Sequence, residues 1–155
     1  VGSDGGGRQV NIRVIDERLS PVLGSRGGVY SKTSTVSVSS EQIVSVLQEE
    51  ADRVLRLMDY VPTPYPENAT RLTLYLSSLD YRVSGNRKAA VTAVFRVEVV
   101  NAGRSYSGQY NAFLERSFTL PLNQEKNTKL VEHSLADAMT RMFKDPDLNR
   151  VLSKP

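Results

Sequence analysis

The chain has 155 residues, of which 39% are hydrophobic and 24% charged, and its formal net charge is +3 at pH 7. Such values are typical of an ordinary globular domain and exclude a disordered or fibrous chain. No apolar run reaches the length of about 18 residues that a membrane-spanning helix needs. The absence of cysteine excludes disulfides, thiolate metal sites and a cysteine nucleophile within these residues.

The positive charge is dispersed along the sequence. The 20 basic residues run from Arg8 to Lys154, and Arg87 and Lys88 are the only adjacent pair. Nucleic-acid-binding proteins concentrate basic residues in a patch or stripe. We therefore expect no nucleic-acid partner.

The first part of the chain is predicted to contain a tether and two strands. Residues 1–9 are rich in glycine and polar residues, as flexible linkers are, so a single domain is expected over residues 10–155. Alternating apolar residues predict a strand over VNIRVID (10–16). LSPVLGSRGG (19–28) is predicted to be a loop, and the β-branched segment VYSKTSTVSV (29–38) a second strand.

A long helix is predicted to follow. Ser39 and Gln42 have the spacing of a capping box. Beyond them, apolar residues recur at helical spacing from Ile43 to Met58. The proline-rich segment VPTPYPEN (61–68) ends this helix.

Three long strands are predicted next, over residues 70–83, 89–100 and 104–118. Short turn-forming segments separate them, which predicts an antiparallel meander. Within the first of these strands the apolar residues change parity after Ser77 and Ser78, and a β-bulge would produce that change.

The C-terminal segment predicts a second long helix and a sharp corner. The helix should end near Lys144, because a residue that precedes proline disfavours helical dihedral angles. Asp145 can cap a new turn in which Pro146 takes the first position. Leu148 then packs onto the core, and these residues form a structural corner.

No catalytic or metal site is predicted. His133 is the sole histidine, and the adjacent Ser134 points away from it on a helix. No run of acidic residues has the spacing of a calcium loop, and we expect neither a cofactor nor an enzyme. The strand aromatics suit either core packing or a nucleic-acid stacking platform, and core packing is favoured: Tyr75, Tyr81, Phe95, Tyr106, Tyr110 and Phe113.

These elements predict an α+β fold with the order β-β-α-β-β-β-α. We expect a mixed, mostly antiparallel sheet with both long helices on one face and a short C-terminal helical turn. The other sheet face would then be open. Thr92, Val94 and Arg96 lie on that face, which either stays solvated, as in many antiparallel sheets, or forms a partner surface around these residues.

Three segments together carry a family resemblance. They are VNIRVIDER (10–18), GNRKAAVTAVFRVEVVNAGRSYSGQY (85–110) and MTRMFKDPDLNRVL (139–152). In this order they resemble the YajG-type lipoproteins of Gram-negative bacteria, from about Val10 to the end of the chain.

The resemblance implies a lipid anchor and a cellular location. Members of the family carry lipid on an N-terminal cysteine, so we expect that cysteine upstream of Val1. We also expect residence on the periplasmic side of the outer membrane. The implied role is non-enzymatic, in envelope structure or assembly, with an envelope protein or a second copy as partner. The alternative is a module that binds a small ligand or envelope glycan on the open sheet face.

Overall fold

The computed structural model describes residues 6–20, 22–25, 35–67, 69–84, 88–117 and 124–153. The strands are β1 (Gln9–Asp16), β2 (Val22–Ser25), β3 (Thr35–Ser37), β4 (Val61–Pro62), β5 (Thr70–Ser84), β6 (Lys88–Asn101) and β7 (Arg104–Ser117). The helices are α1 (Ser40–Leu57), α2 (Gln124–Phe143) and α3 (Pro146–Leu152).

A five-stranded sheet with the order β4-β1-β5-β6-β7 organises the molecule. The long strands β5, β6 and β7 form the predicted antiparallel meander. β1 pairs in parallel with both β4 and β5. Parallel neighbours need a crossover connection, and the segment that contains α1 supplies it. The predicted α+β class and mixed sheet are thus confirmed.

The predicted irregularity in β5 is also present. The pairing of β5 with β6 shifts register between Leu76 and Ser78. Leu76 and Leu79 are both buried although three residues separate them. The bulge therefore keeps both halves of this 15-residue strand facing the same core.

All three described helices pack on one face of the sheet, as expected for the two long ones. On β6 every second side chain is fully buried: Ala89, Val91, Ala93, Phe95, Val97 and Val99. Opposing them are the buried stripes of α1, with Ile43, Leu47, Ala51 and Leu55, and of α2, with Val131, Leu135, Met139 and Met142. Burial of these apolar side chains is the main stabilising contribution.

Ser39 and Asp145, which the sequence suggested as helix caps, both accept a hydrogen bond from a backbone amide of the helix that follows. The Ser39 hydroxyl accepts a hydrogen bond from the Gln42 amide at 3.2 Å at the start of α1. α2 ends at Phe143, and the Asp145 carboxylate accepts from the Asp147 amide at 2.9 Å. Leu148 is fully buried, so α3 folds back onto the core.

Two short strands lie where the sequence predicted none. β2 lies inside the predicted loop 19–28 and pairs with β3 in a separate two-stranded sheet. β4 lies in the proline-rich segment and pairs with Gln9 and Val10. Of the second predicted strand (29–38), only residues 35–37 are described as strand, and residues 29–34 lie outside the described residues.

The N-terminal segment contacts the domain earlier than expected. Residues 1–5 of the predicted tether lie outside the described residues. The Gly7 amide donates to the Asp59 carbonyl at 2.8 Å, and the Val61 amide donates to the Arg8 carbonyl at 2.8 Å. Because Asp59 and Val61 supply these partners and Gln9 pairs with Val61, residues 7–9 are hydrogen-bonded or paired to the segment that follows α1.

A buried ion pair joins the end of β1 to the start of α1. Arg18 contacts the Asp16 carboxylate with two guanidinium nitrogens, the shorter distance being 2.8 Å. The exposed fractions of the two side chains are only 5% and 3%. The Ser40 hydroxyl donates to the same carboxylate at 2.6 Å, and Arg18 also donates to the Val38 carbonyl.

Candidate functional site

The second face of the sheet, here called the open face, is the face that the described helices leave accessible. Thr92, Val94 and Arg96 alternate with the buried residues of β6 and lie on it, each partly exposed. Val94 is paired in register with Asn111 and Ser78. The predicted partner residues therefore share one surface.

Arg96 is bound by several groups at the centre of the open face. Its guanidinium lies 3.9 Å from the centroid of the Tyr75 ring, a cation–π distance. It also pairs with Glu98 at 2.8 Å and Glu17 at 3.3 Å. The Tyr75 hydroxyl donates to Glu98 at 3.4 Å. The positive charge of Arg96 is thus compensated, and one of the two carboxylates is in excess.

Exposed apolar side chains flank that centre. Phe113 is 56% exposed and lies opposite Thr92 in the pairing of β7 with β6. Val100, near the other end of β6, is 49% exposed. Together with Val94 they give the open face an apolar component beside its hydrogen-bonding groups.

A cleft opens at the β1 end of the open face. It has a volume of about 590 Å³, and its lining includes Asn11, Arg13, Arg71 and Thr73. Arg13 and Arg71 are both exposed. The cleft is thus a cationic part of the open face, in contrast to the centre around Arg96.

The aromatic residues of the strands divide between the two faces. Phe95 is fully buried, and the buried Tyr81 donates to Asn127 on α2 at 2.7 Å. Tyr75 and Phe113 instead lie on the open face. Core packing therefore accounts for only part of the predicted set.

Sequence reasoning did not identify a cluster of Tyr106, Tyr110 and Asp145. The two hydroxyls lie 3.0 Å apart and both donate to Asp145, at 3.0 and 2.5 Å. Between the tyrosines on the same strand face is Gly108. A Cβ there would lie 2.5 Å from the Tyr106 hydroxyl oxygen. The spacing Tyr-x-Gly-x-Tyr was the available signal, but the acceptor lies 35 residues further along the chain.

Both tyrosine hydroxyls of the cluster lose their protons less readily than an ordinary tyrosine does. Burial, followed by the hydrogen bond to Asp145, raises the pKa of Tyr110. Burial likewise raises the pKa of Tyr106. The hydrogen bond from Tyr110 lowers the pKa of Asp145. A general base works best with a pKa near the operating pH, so this arrangement favours a structural role that fastens α3 to β7.

His133 and the neighbouring Ser134 are not placed to act together. His133 is exposed, whereas the neighbouring Ser134 is fully buried. His133 lines a smaller cleft of about 270 Å³ with Arg116 and Lys129. Within the described ranges, no group of three or more histidine or acidic side chains is placed to hold a metal ion.

The fold is that of a small α+β domain with one helix-covered sheet face, and comparison with known families shows its membership. The chain belongs to the family described as "Uncharacterized lipoprotein", which matches residues 3–153. The predicted lipoprotein resemblance is thereby confirmed, and a membrane-anchored envelope protein is indicated. None of the described helices is long and apolar enough to cross a membrane.

Solved structures share this fold at low sequence identity. A Xanthomonas campestris protein has a TM-score of 0.59 at 11% identity, over 97% of this chain and 83% of that one. A minor lipoprotein from Acinetobacter baumannii has a TM-score of 0.55 at 10% identity, over 96% of each chain. The rare lipoprotein B from Shewanella oneidensis has a TM-score of 0.52 at 10% identity, over 90% of this chain and 98% of that one. No curated protein sequence matches the chain.

Proposed function

We propose that this protein is a non-enzymatic, lipid-anchored protein on the periplasmic side of the outer membrane. Its role is structural, or that of an accessory in envelope assembly. Membership of a lipoprotein family supports the anchor, which we place on a cysteine upstream of Val1. The proposal of a role without catalysis is supported by the exposed His133 and the buried Ser134, which form no pair.

The observation that carries the proposed role is the open face. The described helices cover the opposite face, while Val94 and Phe113 lie exposed or partly exposed among hydrogen-bonding side chains. Contiguous apolar surface rimmed by polar groups marks protein interaction sites, and Val94 and Phe113 are diagonal neighbours in the pairing of β6 with β7. Because the charges around Arg96 leave only one carboxylate in excess, a protein surface with little net charge is favoured as the partner. We therefore place an envelope protein, docked around Thr92, Val94 and Arg96, on this face.

The docking can be tested by photo-crosslinking in the native envelope. A benzophenone amino acid at Phe113 in the full-length lipidated protein should give one defined adduct. The matched control is the same amino acid at Leu57, an apolar residue of α1 that is 64% exposed. It should give no such adduct.

Charge substitutions make that test specific. Thr92→Lys and Val94→Asp should each abolish the Phe113 adduct and leave the melting temperature nearly unchanged, because both side chains are partly solvated and neither new charge is opposite a like charge on the paired strands. An undiminished adduct in both variants would refute docking on the open face. An adduct formed with a second copy would replace the envelope partner by self-association.

A second candidate function is a binding module for a small ligand or an envelope glycan. The arginine-lined cleft at the β1 end of the open face favours it, because its volume is within the range of ligand sites, about 300–1,000 Å³. A glycan or metabolite that carries negative charge would suit Arg13 and Arg71.

A further inference from the structure

The cleft beside β1 has three structured walls. β4 pairs only with Gln9 and Val10, so β1 has no described strand at its outer edge from Asn11 onward. The Asn11 side chain donates to the Thr63 carbonyl at 3.0 Å, which ties the proline-rich loop to the strand. On the third side, Gln48 of α1 reaches the Ile12 carbonyl at 3.5 Å. The cleft is thus built by the fold.

Two arginines in this cleft have uncompensated charges. Arg13 is opposite Thr73 and Arg71 is opposite Asn11 in the parallel pairing, so the arginines are diagonal neighbours on one face. Neither forms an ion pair with any residue in the described part of the chain. Glu98, opposite Thr73 on β6, is already paired with Arg96 at 2.8 Å.

Like charges on neighbouring strand positions repel each other, weakly where they are exposed as here, and an anion bound between them would relieve that repulsion. The guanidinium fork matches phosphate and carboxylate oxygens with paired hydrogen bonds. A phosphomonoester carries a charge of about −1.5 to −2 at pH 7, which matches two arginines better than a single carboxylate does. Asn11 and Thr73 add polar side chains, and Pro64 and Pro66 add apolar wall for the carbon part of a ligand.

We infer that the cleft between Arg13 and Arg71 binds a phosphomonoester group. The inference rests on the second candidate function, ligand binding, and is independent of protein docking around Thr92. The same group can come from a soluble sugar phosphate or from the headgroup of a phosphorylated lipid.

Titration of the folded domain with three probes tests the site. The probes are inorganic phosphate, a sugar monophosphate, and phosphatidylcholine vesicles with or without phosphatidic acid. Soluble probes should shift the NMR signals of the Arg13 and Arg71 guanidinium groups. Binding by the sugar monophosphate identifies a soluble source, and binding confined to phosphatidic acid vesicles identifies a lipid headgroup. Failure of all three probes would overturn the inference.

Matched variants distinguish a site from general charge attraction. Arg13→Gln and Arg71→Gln should each weaken binding about tenfold or more, as loss of a charged hydrogen bond does. Arg82→Gln is the control, since Arg82 is exposed on the same open face but outside the cleft. An equal loss in Arg82→Gln would overturn the site.

The pH dependence separates phosphate from carboxylate. The described lining of the cleft contains no histidine and no carboxyl group, and arginine stays charged. Affinity should therefore rise as the phosphate loses its second proton near about pH 6. A pH-independent affinity from about pH 5 to about pH 8, as a carboxylate with a pKa near 4 would give, contradicts the phosphomonoester. The Phe113 adduct is also measured in Arg13→Gln. It tests protein docking independently, so a failure of phosphate binding can be distinguished from a failure of docking.

Discussion

Single carboxylates stabilise two junctions between elements of this fold. Asp16 and Arg18 join β1 to the entry of α1, and Asp145 joins α3 to β7. In each case one carboxylate accepts several hydrogen bonds, of which at least one comes from a residue distant in sequence: Ser40 for Asp16, and Tyr106 and Tyr110 for Asp145. Local substitutions at these positions should therefore have effects well above those of ordinary surface changes.

Removal of Asp16 tests the buried ion pair. Asp16→Ala leaves the Arg18 guanidinium buried without its carboxylate, and breaking a buried pair in this way costs about 3–5 kcal/mol. Denaturant midpoints will measure the loss. The double variant Asp16→Ala/Arg18→Met removes the orphaned charge and should recover a large part of it. Equal instability of the single and double variants would show that the charge is not the cause.

Substitution of Gly108 tests the packing of Tyr106. In Gly108→Ala the new Cβ would meet the Tyr106 ring at 2.5–3.0 Å, so the ring must move away from Asp145. Overpacking of this kind costs about 1–3 kcal/mol. In a Tyr106→Ala background the same substitution should be nearly neutral. A double-mutant cycle on the free energy of unfolding measures this coupling, and an additive result would argue against the contact.

At the scale of elements, α3 depends on two different contributions of one carboxylate. Asp145 caps the helix through Oδ1 and accepts both tyrosine hydroxyls through Oδ2. The cap is a local interaction, whereas the tyrosine contacts join α3 to β7. The two contributions can be separated experimentally.

Two variants of Asp145 make the separation. Asparagine caps helices about as well as aspartate but has no charged acceptor for the hydroxyls. Asp145→Asn should therefore cost about 1.5–3 kcal/mol. Asp145→Ala should cost a further 0.5–2 kcal/mol or so for the lost cap. Chemical denaturation of both variants gives the two values. An Asp145→Asn variant as stable as the parent would leave capping as the only role.

The elements also show which features a sequence can predict. Periodicity and capping signals lie within about 20 residues of each other, and they located α1, α2, the meander and the bulge at Ser78. The parallel pairing of β1 with β5 joins segments about 60 residues apart, and no local pattern encodes it. β4 has only two residues, too few for a period to be recognised. The arginine cleft depends on that same pairing, so it could not be predicted either.

At the scale of the whole molecule, one sheet face carries the core, and the other is the face on which we propose that binding occurs. The helix-covered face contains the single described core cluster. The open face contains the centre around Arg96 and the cationic cleft at Arg13 and Arg71. Changes on the open face should therefore affect binding more than folding, and changes at Asp16 and Asp145 should do the reverse.

Acid pH should destabilise the whole domain through those carboxylates. Burial acts to raise the pKa of Asp16, but hydrogen bonds from Arg18 and Ser40 outweigh it and lower the pKa to about 2. The pKa of Asp145 is also lowered, chiefly by Tyr110. A depressed pKa in the folded state contributes stability that is fully present above the unfolded value of about 3.9 and is lost as the pH falls through the folded value.

We therefore expect the free energy of unfolding to fall between about pH 4 and about pH 2. Urea titrations across this range will measure the slope. The variant Asp16→Asn/Arg18→Met should have a shallower slope, because one of the two depressed carboxylates is gone. Asp145→Asn should reduce the slope independently, since its carboxylate lies at the other junction. Slopes equal to that of the parent in both variants would assign the acid sensitivity to other groups.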